Sequence, residues 1–290
     1  MNPGIAYALG AYTLWGLFPL YFKLLQAVPA PQILAHRMVW SLGLIVLILL
    51  ALRRFAWLAR VDRGVVARFA LSAVLLACNW GTYIWAVNNG HVIEASLGYY
   101  INPLLNVALG TLLLHERLRP AQWLAIAVAA CGVLWMSVDV GRVPWIALAL
   151  ALSFAGYSLA RKTAPLGSLE GLALETALMF PLALAYLAWC SAHGSNAFAA
   201  GDPSLRATLV AAGPVTTVPL LLFAAGARRI TLSLLGVLQY LTPTLLLVLG
   251  VLLYHEPFSA NRALGFGLVW CWIALYLGDS LLRRRIAAPA

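Results

Sequence analysis

Residues 100–116 read YINPLLNVALGTLLLHE, and residues 240–256 read YLTPTLLLVLGVLLYHE. Tyr100 and Tyr240, Pro103 and Pro243, Gly110 and Gly250, His115 and His255, and Glu116 and Glu256 are each 140 positions apart. Both copies are an apolar run interrupted by one proline and closed by a His–Glu pair. The same offset continues outward: Gly16 falls on Gly156, Tyr83 on Phe223 and Asn79 on Pro219. Each match alone is weak, but one fixed shift along most of the chain indicates two homologous halves, 1–140 and 141–290. A period this long describes two sub-bundles rather than a solenoid of short repeats.

Composition then identifies the solvent. The chain is 63% hydrophobic and 10% charged, whereas soluble domains carry about 25% charged residues. Mean hydropathy is +0.90. The apolar runs are long and continuous rather than alternating, which selects membrane-spanning helices over a barrel. The formal charge of +10 would suggest nucleic acid in a soluble protein. Here the arginines sit in short connections between apolar runs, so they report orientation in the bilayer and no nucleic-acid partner is expected. Cys78, Cys131, Cys190 and Cys271 lie in or beside apolar runs without a CxxC pair, so neither a disulfide nor a metal framework is indicated. The first apolar run lacks a basic leading region and belongs to the repeat. It is expected to stay as a helix rather than to be cleaved.

Ten spans are expected, at 4–24, 31–52, 66–88, 93–114 and 119–138, then 142–162, 170–191, 206–226, 231–253 and 260–280. With the N-terminus in the cytoplasm, that side collects fourteen cations: Arg53, Arg54, Arg60, Arg63, Arg68, Arg117, Arg119, Arg161, Lys162, Arg228, Arg229, Arg283, Arg284 and Arg285. The other side holds only Arg142, Arg206 and Arg262, while Lys23 and Arg37 lie within spans. The asymmetry predicts both termini in the cytoplasm. Five spans per half is an odd number, so the halves enter the membrane in opposite senses. The expected fold is therefore an all-α membrane protein of two inverted five-helix repeats. That architecture serves secondary transporters.

Four segments carry a resemblance. They are Ala11–Lys23 (AYTLWGLFPLYFK), Leu34–Ser41 (LAHRMVWS), Asn79–Asn88 (NWGTYIWAVN) and Ser96–Pro103 (SLGYYINP). The five-plus-five plan, with a proline in the fourth span and a glutamate at its end, resembles the EamA family of the drug/metabolite transporter superfamily. The four segments are similar to the bacterial RarD proteins, the chloramphenicol-sensitive permeases, over essentially the whole chain. The second half lacks counterparts of most of these segments. The resemblance implies a multi-pass transporter of the bacterial inner membrane, inclined to export of small organic metabolites or drugs, with no cofactor.

Ionisable groups inside a span are functional candidates by default. Arg37 reads either as an anchor for an anion or carbonyl, or as a side chain reaching the outer headgroups. Its neighbour His36 reads as a proton-coupling group or a helix–helix hydrogen bond. Glu175, which the shift places opposite Ala35, reads as a second coupling group, a buried hydrogen bond or a first-turn acid. Lys23 is expected to reach the interface, and Glu94 to be a helix-start acid.

Asn79 and Tyr83 share one helix face, with Trp80, Trp85 and Asn88 expected on others. Tyr99, Tyr100 and Asn102 precede Pro103, and Gln239 and Tyr240 precede Pro243. Two proline-interrupted spans at matching positions point to a central substrate site, or else only shape packing. Glu116 and Glu256 are expected at helix ends or gates. The His–Glu pairs are not HExxH motifs, and no metal is expected. Trp15, Trp57, Trp123, Trp145 and Trp189 are read chiefly as interfacial residues.

A secondary transporter working by alternating access is the leading reading. No P-loop is present, so the chain does not power itself with ATP. An intramembrane lipid-modifying enzyme lacks a Gly-x-Ser-x-Gly motif, clustered carboxylates or a large loop. A channel lacks a selectivity sequence or a ring of charges. The expected partners are a small-molecule substrate and the bilayer. Monomer and homodimer both stay open.

Overall fold

The computed structural model describes residues 2–89, 91–138 and 143–253, together with Gly267, Trp270 and Cys271. In order, the helices are α1 (Pro3–Gly16), α2 (Phe18–Lys23), α3 (Ala30–Ala51), α4 (Arg63–Asn88), α5 (Val92–Leu113), α6 (Pro120–Val138), α7 (Trp145–Thr163), α8 (Ser168–Ala192), α9 (Ala197–Ala200), α10 (Pro203–Ala227), α11 (Leu232–Gln239) and α12 (Leu241–Leu252). A 3-10 turn at Ala56–Arg60 precedes α4. No strand occurs among the described residues.

Among the described residues, six stretches are long and apolar enough to cross a bilayer: Pro3–Lys23, Ala30–Ala51, Arg63–Ala86, Ser168–Ala192, Pro203–Ala227 and Leu232–Leu252. Helices α5, α6 and α7 occupy the expected spans 93–114, 119–138 and 142–162. The expected span 260–280 lies outside the described residues.

Two expected spans are broken rather than continuous. Between α1 and α2 the chain turns at Leu17, whose N–H reaches back to both Thr13 and Leu14. Pro19 supplies no N–H for the next helical bond, so the break falls just before it. The second break lies at Tyr240, between α11 and α12. Pro243 cannot donate to the Gln239 carbonyl, and the Tyr240 N–H tightens to Val237 at 3.3 Å. Its counterpart Pro103 instead sits inside an unbroken α5.

Polarity is distributed for a hydrocarbon surround. Leu47, Leu71, Leu112, Leu124 and Leu182 face outward, while Ser72, Asn102, Asn106, Glu175 and Gln239 are buried. In water such an apolar exterior would be an association surface. In lipid it is the natural outside, and the polar groups must find partners within the bundle.

Helix α3 packs on α8 and α10, α1 on α10 and α12, α4 on α7, and α5 on α7 and α11. The α5–α11 seam is especially close. A Cβ on Gly236 would stand 2.8 Å from the Pro103 carbonyl oxygen and 3.0 Å from the Asn106 Cβ. Gly236→Ala must therefore push backbone from backbone, a cost of about 1–3 kcal/mol. Gly81→Ala is the control, since a Cβ there meets nothing within 4 Å. Thermal unfolding in detergent is expected to show a clear loss of stability for the first variant and none for the second.

Candidate functional site

A cavity of about 960 Å³ runs into the bundle from the connector between α2 and α3. At its mouth, Lys23, Gln26 and Pro29 are exposed. At its far end Asn102, Gln239 and Thr242 are buried. Between them the wall is aromatic, formed by Tyr12, Trp15, Phe18, Phe22, Trp80, Tyr83, Tyr99 and Phe154.

Helix phase decides which polar residues reach this space. On α3, Arg37 faces the cavity, and its Nε donates to Thr216 Oγ1 at 2.8 Å. Its guanidinium lies 4.4 Å from the Trp80 ring centroid and 5.7 Å from those of Phe18 and Phe22. Such stacking stabilises a cation away from bulk water. One position earlier, about 100° round the helix, His36 points elsewhere. It is buried against Phe198 with ring centroids 5.4 Å apart. Both its ring nitrogens lack a hydrogen-bond partner among the described residues.

From α4, Asn79, Trp80 and Tyr83 all line the cavity, so Trp80 belongs with the Asn79 face rather than apart from it. Asn79 Nδ2 donates to the Leu150 carbonyl at 2.9 Å and to Ser153 Oγ at 3.1 Å. Trp85 instead packs on Trp145. Tyr83 and Tyr99 meet edge to face at 6.1 Å. Asn102 donates to the Ala151 carbonyl at 3.1 Å, and Asn106 Nδ2 bridges Asn102 Oδ1 (3.0 Å) and Gln239 Oε1 (3.1 Å). Asn102 and Gln239 line the end of the cavity, and Asn106 ties them together from behind.

The other expected site residues that the structure describes lie outside the cavity lining. Tyr100 and Tyr240 fill the α5–α11 seam, where the Tyr240 hydroxyl donates to the Tyr100 carbonyl at 2.9 Å. Pro103 borders the same seam, and Pro243 sits at the start of α12. Glu175 lies toward the opposite end of the bundle. It accepts from Ser72 and from Arg161 Nη1, the latter at 3.3 Å. Arg161 is itself only 1% exposed, and its Nη2 donates to the Ser168 carbonyl.

The His–Glu pair ending α5 has a plain structural role. His115 takes the left-handed conformation with φ 54°, and the Glu116 N–H returns to the Gly110 carbonyl at 2.9 Å. A left-handed residue thus stops the helix, with the Leu114 N–H reaching the Leu109 carbonyl in the widened last turn. The Glu116 carboxylate then caps another helix, accepting from the N–H groups of Leu232 (2.6 Å) and Ser233 (3.0 Å) and from the Ser233 hydroxyl. Glu94 behaves alike, accepting from the Ile146 N–H at the start of α7. Both acids meet the positive end of a neighbouring helix. Glu256 lies outside the described residues. Among the described residues no cluster of His, Cys, Asp or Glu could hold a metal.

Trp15, read from the sequence as interfacial, instead forms cavity wall. Sequence reasoning also missed Thr216, Asn106 and Arg161. The Asn102-to-Asn106 spacing of four was a readable signal for the second of these. Arg161 looked like a loop cation because it ends an apolar run, and nothing local tied it to Glu175.

The end of the bundle away from the mouth is tied by polar contacts. Arg228 donates to the Ala164 and Leu166 carbonyls at 2.6 and 2.7 Å, Lys162 to those of Ala227 and Ile230, and Arg54 pairs with Glu170 at 2.6 Å.

Comparison with known proteins gives consistent relatives. Residues 2–138 match the EamA-like transporter family model. The chain is 48% identical to Protein RarD of Streptomyces exfoliatus, over 97% of this chain and 90% of that one. An uncharacterized transporter of Pseudomonas aeruginosa is also 48% identical, with 100% and 98% covered. The chloramphenicol-sensitive protein RarD of the same organism is 32% identical, with 97% and 96% covered. A solved crystal structure aligns with a TM-score of 0.66 over 94% of this chain and 96% of its own, at 23% identity. That likeness concerns the fold alone.

The buried pair makes a sharp prediction. Glu175→Ala leaves Arg161 buried without its counter-charge and is expected to cost about 3–5 kcal/mol. Replacing both, as Arg161→Met with Glu175→Leu, removes the stranded charge and restores most of the loss. Thermal unfolding of the two variants beside the parent checks this, and equal losses in both would contradict it.

Proposed function

Because the chain belongs to the EamA-like transporter family, in its RarD group, we propose that this multi-pass membrane protein is a secondary transporter of small organic molecules working by alternating access. The observation that carries the proposal is a deep cavity open at one end of the bundle and tied shut at the other. The cavity has the size of a ligand site. Arg37, Asn79, Tyr83, Tyr99, Asn102 and Gln239 are proposed to contact the substrate. Arg161 and Glu175, with Lys162 and Arg228, are proposed to hold the closed side.

An inverted-repeat architecture is supported by how the helices pack. The 140-residue shift carries α1–α2 onto α7, α3 onto α8, α4 onto α10 and α5 onto α11–α12. Under that exchange the α4–α7 contact becomes α10–α1, and α5–α7 becomes α11–α12 with α1. The α3–α8 and α5–α11 contacts map onto themselves. Tyr100 and Tyr240, equivalent under the shift, touch each other across a self-equivalent seam with ring centroids 6.4 Å apart, as residues near a two-fold axis do. The Asn102-to-Ala151 bond is nearly repeated by Thr242 Oγ1 donating to the Tyr12 carbonyl. Exchange of conformation between such halves moves a site from one side of the membrane to the other.

Orientation follows from where the cations gather. The closed end carries Arg54, Arg161, Lys162 and Arg228, and by the positive-inside rule this supports a cytoplasmic side for that end and, with the loop cations of the sequence, for both termini. The mouth then faces outward. With the four native cysteines replaced, Gln26→Cys is expected to react with an impermeant maleimide on intact cells, and Arg228→Cys only after permeabilisation. The reverse pattern would sink the orientation.

Transport itself is tested with a panel of metabolites and antibiotics. A ligand of the folded state raises the melting temperature in a concentration-dependent way. Proteoliposomes preloaded with that ligand are expected to concentrate its labelled form by saturable counterflow. Unsaturable flux without counterflow indicates a channel, and an altered product indicates an enzyme.

A further inference from the structure

The cavity's unspent hydrogen-bonding groups and its charge define the kind of molecule that fits. Building on the reading of the cavity as a transport site, we propose that its substrate is an organic monocarboxylate with a flat apolar body.

Arg37 carries the argument. Thr216 takes its Nε, and three aromatic rings surround the guanidinium. Among the described residues, its two terminal nitrogens donate to no protein group and no carboxylate lies within ion-pair distance. A guanidinium whose two terminal nitrogens are unspent matches the two oxygens of a carboxylate. Arg161 shows the contrast. It lies in the last turn of α7, and its terminal nitrogens are spent on Glu175 and the Ser168 carbonyl.

The rest of the wall narrows the class. Among the described residues, the charged side chains of the lining are Lys23 at the mouth and Arg37 deeper in, and no aspartate or glutamate belongs to it. A cationic substrate meets repulsion from Arg37, and the ammonium of a zwitterion finds no counter-charge among the described lining residues. Asn79 has spent both N–H groups on Leu150 and Ser153, which leaves its Oδ1 as an acceptor toward the cavity. Gln239 is only 5% exposed, and its Oε1 is taken by Asn106, which leaves its Nε2 as a donor. A substrate with one hydroxyl or amide beyond its carboxylate is matched at both points. Trp15, Trp80 and Phe154 supply faces for an aromatic or conjugated body.

The test uses one apolar body with three charges. Binding of 3-phenylpropionate, 3-phenylpropanamide and 3-phenylpropylamine to the purified full chain is measured by titration calorimetry and thermal shift. The carboxylate is expected to bind at least about tenfold more tightly than the amide, and the amine more weakly than either. Arg37→Gln is expected to abolish the preference, and Arg37→Lys to retain part of it. Equal or tighter binding of the amide or amine overturns the proposal. So does a carboxylate preference that survives Arg37→Gln, or no carboxylate binding at about 10 mM. Should Arg37→Gln fail to fold, the three compounds on the parent protein still decide.

Counterflow of labelled 3-phenylpropionate separates this proposal from the transport reading. Selective binding without counterflow supports the anion site and retires transport. Saturable counterflow that favours the amide or amine keeps transport and overturns the anion.

Discussion

Across the seam between α5 and α11 the Tyr240 hydroxyl donates to the Tyr100 carbonyl, and much of the interior depends on that contact being close. Hydrocarbon offers no partner to a backbone or amide group, so any polarity brought inside must be satisfied there. The absence of a side chain at Gly236 lets the two helices approach until backbone meets backbone. That approach brings Asn106 and Gln239 within hydrogen-bond distance and holds Asn102 and Gln239 at the end of the cavity. Helix α5 also holds two neighbours by their N-termini, α7 through Glu94 and α11 through Glu116. One helix thus sets the position of the cavity floor and the start of two of its walls.

Arginine is used in two opposed ways along the long axis of the bundle. At the tied end, Arg161 is matched by a carboxylate and a carbonyl, and Arg228 by two carbonyls at a helix junction. These cations neutralise helix C-termini and a buried acid, which suits a closure. In the cavity, Arg37 has a hydroxyl and three rings instead. A cation supported by aromatic faces but short of an anion is stable enough to persist and still attractive to one. The difference lies in the neighbours each helix supplies, not in the residue.

The broken helices follow the same economy of backbone bonds. Pro243 and its equivalent Pro103 occupy matching places, yet only the second copy interrupts its helix. The break at Tyr240 leaves Gln239 at the end of α11 and Thr242 in the first turn of α12, both against the cavity. Leu17 does the same for the first span, setting Phe18 and Phe22 of α2 beside Arg37. Irregular backbone is found where it borders a cavity, where a missing helical bond is tolerated.

Much of this was legible in the linear chain. Composition alone required a hydrocarbon solvent and apolar run length required helices, while the 140-residue echo raised the expectation of two related halves. The intramembrane position of Arg37 and the proline-flanking polar residues pointed to the region where Arg37, Tyr99, Asn102 and Gln239 meet. What the sequence could not supply was helix phase relative to partners far away in the chain. His36 and Arg37 are neighbours, yet about 100° of helix rotation sends one to Phe198 and the other into the cavity. Glu175 read equally as a coupling group, a buried hydrogen bond or a first-turn acid, and only the fold placed it against Arg161 and Ser72. Glu116 read as a helix end, and only packing showed which helix it caps. Solvent and periodicity are properties of a segment and can be read from it. Pairing of buried polar groups is a property of two or three segments at once, and only the tertiary structure decides it.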